Sequence, residues 1–264
     1  MSALFEDMLQ KGDALLESGE FKKAIECFEQ CVKSRPDDSE AFFKLGYAMA
    51  EAGMLEDALK SYSEGLRLDP DDTEALTAVG DIHFEAGDYT KALGAYQRVI
   101  ELSPDDPDGY VSIGLVYNTM EQPQEAIRFY TTALEMDTKN VFALNALGDA
   151  YFALGDREKA VEAYKAGIVV DSEDAAARFN LGELYYDMEE LADAERECLE
   201  AIRLDPSFAL PYLTMGGICL DLERIPDAIR YFELYLKKEN SPRADEMRRE
   251  VQAVLEGLRE ELQS

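Results

Sequence analysis

The sequence predicts an all-α solenoid of seven helix-turn-helix repeats followed by one further helix. The first observation is a glycine that recurs every 34 residues without a missing member: Gly12, Gly46, Gly80, Gly114, Gly148, Gly182 and Gly216. The second observation is an alanine with the same period: Ala24, Ala58, Ala92, Ala126, Ala160, Ala194 and Ala228. A fixed period of this length indicates a stack of identical two-helix units.

Seven units without insertions follow when the first begins at Phe5. They are residues 5–38, 39–72, 73–106, 107–140, 141–174, 175–208 and 209–242. Positions within a unit are numbered from 1 to 34, so the glycine lies at position 8 and the alanine at position 20. We expect residues 1–242 to form one tandem array, because each unit buries its apolar face only against its neighbours.

Two amphipathic helices are predicted in each unit. Apolar residues at positions 4, 7 and 11 have helical spacing, and so do those at positions 20, 24 and 27. Position 24 is aromatic in six units: Phe28, Tyr62, Tyr96, Tyr130, Tyr164 and Phe232. The small residues at positions 8 and 20 let the two helix backbones approach closely.

The connections carry residues that end helices. The turn inside the unit has a glycine suited to a helix C-cap at Gly19, Gly53, Gly87 and Gly155. A proline at position 32 ends the second helix at Pro36, Pro70, Pro104 and Pro206. Ser39 and Thr73 are then the expected N-caps of the helices that follow.

Residues 243–264 are predicted to form one capping helix. An apolar stripe runs along it: Met247, Val251, Val254, Leu255, Leu258 and Leu262. A repeat stack needs such a helix to cover its last exposed apolar surface. The sequence therefore reads as a complete protein and not as a fragment of a larger enzyme.

These residues resemble the tetratricopeptide repeat, which has small residues at positions 8 and 20, an aromatic at 24 and proline at 32. The resemblance covers 238 of 264 residues. It implies a right-handed superhelical α-solenoid in which positions 2, 5, 9 and 12 of the first helices line a concave face. It also implies binding of other proteins. The departures are the absence of tryptophan and the polar residues Lys11 and Arg178 at apolar positions.

Composition excludes several classes of partner. The chain has 56 acidic and 26 basic side chains, a net charge of -30, so nucleic acids and anionic membranes would be repelled. The start of the chain has no secretory signal, and the apolar stretch 208–220 is interrupted by Pro211 and too short to span a bilayer. With only four cysteines, a reducing cytoplasm is the expected location.

The negative charge is concentrated on the first helices. Positions 1–14 of the seven units hold fourteen acids and three bases. Acids in the first turn of a helix, such as Glu40, Glu74 and Asp108, also complement the helix dipole. The mid-helix acids at position 9 are Asp13, Asp81, Asp149 and Glu183. Either they contact a ligand or they are solvated groove residues.

Three patches are candidate binding sites for a peptide. The first is a mixed patch in units five and six, with Asn145, Asp149, Phe179, Asn180 and Glu183. Amides can both donate to and accept from a peptide backbone, and Phe179 offers an apolar anchor. The second is the aromatic pair Phe43 and Tyr47 of unit two, and the position-9 acid Asp81 is a further groove residue. The third is apolar, with Leu210, Leu213 and Leu220 of unit seven. It is covered by the terminal helix or it binds a partner.

The residues do not indicate catalysis, a cofactor or a metal site. The one histidine, His83, has no nucleophile predicted beside it, and no glycine-rich loop matches a phosphate-binding pattern. The basic groove code that binds acidic C-terminal tails of chaperones is also absent, because positions 2 and 5 contain no lysine and position 9 no asparagine.

The expected function is a non-catalytic interaction module or adaptor. Its acidic concave groove would hold a basic or amphipathic peptide segment of another protein. Two alternatives stay open. One is a self-assembling scaffold in which copies dock head to tail, and the other is a bacterial secretion or pilus-assembly chaperone.

Overall fold

The computed structural model describes residues 2–261, and in that range the chain is helical and contains no β-strand. A short 3₁₀ helix at Pro242–Ala244 precedes the last α-helix. The α-helices are α1 (Ser2–Glu17), α2 (Phe21–Ser34), α3 (Ser39–Glu51), α4 (Leu55–Leu68), α5 (Thr73–Glu85), α6 (Tyr89–Leu102), α7 (Pro107–Thr119), α8 (Pro123–Met136), α9 (Val141–Leu154), α10 (Arg157–Val170), α11 (Ala175–Asp187), α12 (Leu191–Leu204), α13 (Leu210–Asp221), α14 (Ile225–Lys238) and α15 (Asp245–Glu261). The predicted fold class, an all-α array of helix-turn-helix repeats, is confirmed.

The chain forms two compact parts, divided between Met136 and Asp137, which are called unit 1 and unit 2 below. The seven 34-residue units of the sequence are called repeats from here on. Unit 1 contains α1–α8 and unit 2 contains α9–α15. Within each unit every odd-numbered helix up to α13 packs on the even-numbered helix that follows it. The odd-numbered helices are the first helices of the repeats, and their exposed faces form the surfaces considered below.

The periodic glycine and the periodic aromatic residue pack against each other. In six repeats the ring at position 24 lies against the glycine at position 8, so closely that an added Cβ would overlap the ring. On Gly148, for example, a Cβ would stand 2.5 Å from Cε1 of Tyr164. Repeat six differs, because Gly182 lies against the sulfur of Cys198. Glycine therefore permits the close approach of the two helices in each repeat.

The first helices are capped one residue earlier than the sequence suggested. Asp38 and Asp72, and not Ser39 and Thr73, are the N-caps of α3 and α5. Their carboxylates accept hydrogen bonds from backbone N–H groups three residues on, at 3.0 and 2.7 Å. A carboxylate both caps the helix and complements its dipole, which explains why it takes the cap position next to a hydroxyl residue.

The turn inside every repeat contains one residue in the left-handed conformation, at position 15. Four of these residues are the glycines expected to end the first helix, and the other three are glutamates. The glutamates are Glu121 (φ 56°), Glu189 (φ 60°) and Glu223 (φ 58°). Each glutamate carries the steric cost of a Cβ in this region, whereas glycine does not.

Replacing one of these glutamates by glycine should stabilise the protein. For Glu189→Gly we expect the free energy of unfolding to rise by about 0.5–1 kcal/mol, because relief of about 1–2 kcal/mol of strain exceeds the added entropy of the unfolded chain. Urea unfolding followed by circular dichroism measures this change. At the equivalent turn of repeat five, Gly155→Ala places a Cβ on a residue with positive φ and should lower stability. A loss of stability in Glu189→Gly would contradict the account.

The terminal helix α15 packs on α14, the second helix of repeat seven. Two residues of its apolar stripe, Val251 and Leu255, are buried in the core of unit 2. Met247 and Val254 of the same stripe are exposed, and Leu262 lies outside the described residues. The helix thus covers the end of the stack through a narrow seam of apolar side chains.

Candidate binding clefts

The first helices of unit 1 line a cleft of about 920 Å³, called here the large cleft. Its walls come from α1, α3, α5 and the start of α7. The aromatic residues in its lining are Phe43, Tyr47 and Tyr62, and the acidic residues are Asp13, Glu40, Asp69, Asp72, Glu74, Asp81, Asp106 and Asp108. The cleft therefore contains three of the predicted groove residues, Phe43, Tyr47 and Asp81.

The large cleft has little positive charge to balance these acids. Among the described residues that line it, Lys44 is the only base. Its ammonium lies 2.8 Å from Asp13 and 3.7 Å from Glu40. Most of the carboxylates in the cleft thus have no cationic partner in its lining, and the surface attracts cations.

Helix capping explains how so many acids reach this cleft. Asp72 and Asp106 are the N-caps of α5 and α7, and Glu74 and Asp108 stand in the first turns of the same helices. Capping uses backbone N–H groups, which carry no net charge. The structural role of these acids therefore leaves the negative charge of the cleft in place.

The two aromatic residues predicted in unit 1 differ in accessibility. Phe43 is half-buried, stacks on Tyr62 with ring centroids 6.5 Å apart and packs closely on Gly65. Tyr47 is 50% exposed. Tyr47 therefore offers the free aromatic surface, while Phe43 mainly supports the packing of α3 on α4.

The predicted aspartates at position 9 have a structural role that the sequence analysis missed. The hydroxyl of Tyr96 donates to Asp81 at 2.6 Å, and the hydroxyl of Tyr164 donates to Asp149 at 2.6 Å. Both pairs join position 24 to position 9 within one repeat. The signal was present in the sequence, because both aspartates occur in repeats that have tyrosine at position 24.

Position-9 carboxylates also connect neighbouring repeats. Three of them, Asp13, Asp149 and Glu183, accept a hydrogen bond from position 6 of the next repeat, 31 residues later in the chain. The pairs are Lys44 with Asp13 (2.8 Å), Asn180 with Asp149 (3.4 Å) and Thr214 with Glu183. These acids are therefore held in place by the fold, which fixes where their charge lies on the surface.

The first helices of unit 2 line a second cleft, of about 520 Å³, called here the small cleft. It lies between α9 and α11 and contains four of the predicted residues, Asp149, Phe179, Asn180 and Glu183. The other residues of its lining are Phe152, Tyr164, Leu184, Tyr186 and Asp187. The small cleft thus brings acidic side chains, aromatic side chains and one amide together in a concave site.

Two predicted residues of this patch are used inside the fold. Phe179 is only 8% exposed and packs edge-on against Phe208, with centroids 5.1 Å apart. The amide of Asn145 donates to Asp174, the N-cap of α11, at 2.8 Å. Phe152, which is 46% exposed and was not predicted, supplies the accessible aromatic surface of the small cleft.

Burial raises the pKa of Asp149, and the hydrogen bond from Tyr164 acts in the opposite direction. A carboxyl group whose pKa is higher in the folded state stabilises the fold when protonated and loses that contribution as pH rises. Asp149→Asn cannot ionise, so the difference in unfolding free energy should move in favour of the variant between about pH 4 and pH 7.

Urea unfolding of both proteins across this pH range measures the effect. Glu162→Gln, at an exposed site outside the small cleft, makes the same change in net charge as a control. A difference that is constant with pH, or that moves in favour of the wild type, would contradict the assignment.

The apolar patch of repeat seven is largely built into unit 2. Leu213 and Leu220 are partly buried against its core, while Leu210 is 41% exposed. The terminal helix packs on α14 and so lies on the second helix of this repeat. Leu210 is therefore the one member of the patch with a large free surface.

Three family models match the sequence. One described as tetratricopeptide repeat matches residues 9–73 and 111–166, and one described as TPR repeat matches residues 80–120 and 148–189. A third, also a tetratricopeptide repeat, matches residues 175–208. The chain belongs to the tetratricopeptide-repeat (TPR) family. The paired helices of this TPR protein are the unit that defines the family.

Solved structures similar to this TPR protein include MamA, at 28% identity and a TM-score of 0.59, covering 66% of this chain and 96% of MamA. A tetratricopeptide repeat protein from Parabacteroides merdae aligns at 19% identity and a TM-score of 0.73, covering 96% and 98% of the two chains. YrrB, described as a TPR protein with an unusual peptide-binding site, aligns at 20% identity and a TM-score of 0.57. The alignment covers 76% of this chain and 99% of YrrB. The last two likenesses concern the fold alone.

No curated protein matches the sequence of this TPR protein. Across residues 2–261, none of the helices combines the length and the apolar character that a membrane crossing requires.

Proposed function

We propose that this TPR protein is a non-catalytic interaction module that holds a basic or amphipathic segment of another protein. The large cleft of unit 1 is the main binding surface, and the small cleft of unit 2 is a second one. Membership of the TPR family supports protein binding, and the character of the ligand is inferred from the charge and the aromatic residues of the clefts.

The observation that carries this proposal is the lining of the large cleft. It has eight carboxylates, one lysine that is already paired, and the exposed ring of Tyr47. A concave surface with one sign of charge raises the local concentration of oppositely charged ligands and speeds their encounter. An exposed tyrosine in such a surface is a typical anchor for an apolar side chain.

Self-assembly through the terminal helix has weaker support. Residues 243–264 contain four arginines but six acids, so this segment is itself net negative. Docking it into the acidic cleft of a second copy would bring like charges together. A basic segment of another protein matches the cleft better.

The proposal is tested by selecting ligands for the full chain from a random library of displayed 12-residue peptides. We expect the enriched sequences to carry lysine or arginine beside an aromatic or aliphatic residue. Competition among the selected peptides shows whether they share one surface. Enrichment of neutral or acidic sequences would contradict the proposal.

A further inference from the structure

The small cleft contains two carboxylates that receive hydrogen bonds only from neutral groups. Asp149 accepts from the hydroxyl of Tyr164 at 2.6 Å and from the amide of Asn180 at 3.4 Å. Glu183 accepts from the hydroxyl of Thr214. Neutral donors orient a carboxylate without cancelling its charge, so the negative charge at this site is fixed in position and uncompensated.

Two arginines of the helices that line or adjoin the cleft pair with other acids. Arg157 pairs with Asp187 at the edge of the cleft, at 2.5 Å. Arg178 pairs with the buried Glu197 at 2.8 Å, so it is directed to the interface of α11 and α12. Among the described residues that line the small cleft there is no lysine or arginine. Within residues 2–261, no basic side chain therefore forms an ion pair with Asp149 or Glu183.

Aromatic rings form the remaining walls of the cleft. Phe152 is 46% exposed and Tyr186 is half-buried, and both line the same site as the two carboxylates. The face of an aromatic ring attracts a cation, and this attraction adds to that of nearby carboxylates. The cleft thus combines a cavity, two fixed negative charges and accessible ring surface.

We propose that the small cleft is a subsite for one arginine side chain of a bound segment. The guanidinium group is planar, stacks on aromatic rings and donates in a fork that suits carboxylates. It is also less strongly hydrated than an ammonium group, so a cleft with apolar walls favours arginine over lysine. This inference rests on the proposed function and assigns one residue type of the ligand.

The test uses the full chain, labelled with ¹⁵N, and three small probes: the N-acetyl methylamides of arginine, lysine and citrulline. Citrulline has nearly the shape of arginine but no charge. We expect arginine to shift the backbone amide signals of Asn180 and Tyr186 in a saturable way, lysine to bind several-fold more weakly and citrulline to leave them unchanged. Equal binding of citrulline and arginine would overturn the proposal, and equal binding of lysine would overturn the preference for arginine.

Variants separate the local site from the general negative charge of the chain. Glu183→Gln keeps the acceptor for Thr214 and should weaken arginine binding about five-fold. Glu162→Gln, exposed and outside the cleft, should change it less than two-fold. Equal effects of the two variants would overturn the subsite. If selected peptides still bind the large cleft while arginine fails here, the proposed function stands and only the subsite falls.

Discussion

Gly148→Ala should lower the free energy of unfolding by about 1–2 kcal/mol, although alanine is the better helix former. The added Cβ would stand 2.5 Å from the ring of Tyr164. That ring is 3% exposed and its hydroxyl is bonded to Asp149 at 2.6 Å. Since the ring cannot move freely, the helices must separate, at an overpacking cost of about 1–3 kcal/mol that outweighs the gain in helix propensity.

Gly94→Ala is the matched control for this substitution. Gly94 lies within α6, is exposed and has no atom near the position of an added Cβ. The same chemical change should therefore raise the free energy of unfolding by about 0.5–1 kcal/mol. Urea unfolding curves of the two variants measure both changes. Shifts in the same direction would show that the glycine at position 8 is not required for close packing.

The second large effect is expected from the charge of the large cleft. Replacing Glu40, Glu74 and Asp108 by their amides removes three exposed charges from its lining while keeping side-chain size. The affinity for a selected basic peptide should fall about 3- to 150-fold, because each of the three exposed charges contributes about 0.2–1 kcal/mol. Isothermal titration calorimetry measures the change, and circular dichroism checks that the variant is folded.

The control for this variant removes three acids from second helices of the same unit. Glu26, Glu56 and Glu135 are exposed and do not line the large cleft. Measured at about 0.15 M salt, their amide variants should change affinity less than two-fold, because charges farther from the peptide than the Debye length of about 8 Å are largely screened. An equal loss in the two triple variants would mean that net charge, and not the cleft, attracts the peptide.

The repeat architecture was predictable because each position has one physical role that recurs in every unit. Glycine at position 8 indicated close helix packing, and the structure supplies the ring against which it packs. The position-15 glycines predicted the left-handed turn in four repeats. The turns at Glu121, Glu189 and Glu223 were not predicted, since glutamate carries no local signal for positive φ.

The site was less predictable, because the same polar side chain can serve a ligand or the fold. Asp149 and Asn145 were interpreted as groove residues from their positions, but both make hydrogen bonds within unit 2. Phe179 lies at a groove position and yet is buried against Phe208. These contacts join residues that are 15 or 29 positions apart in sequence, and the 34-residue periodicity alone does not reveal them.

The affinity of the wild-type chain for a selected basic peptide, measured as a function of salt concentration, tests the central claim most directly. If the acidic clefts hold the peptide by charge and a few apolar anchors, affinity should fall about ten-fold between 50 and 500 mM sodium chloride. The decrease should be smaller for the triple amide variant at Glu40, Glu74 and Asp108. An affinity that does not change with salt, or an equal decrease in both proteins, would contradict an electrostatic role for the large cleft.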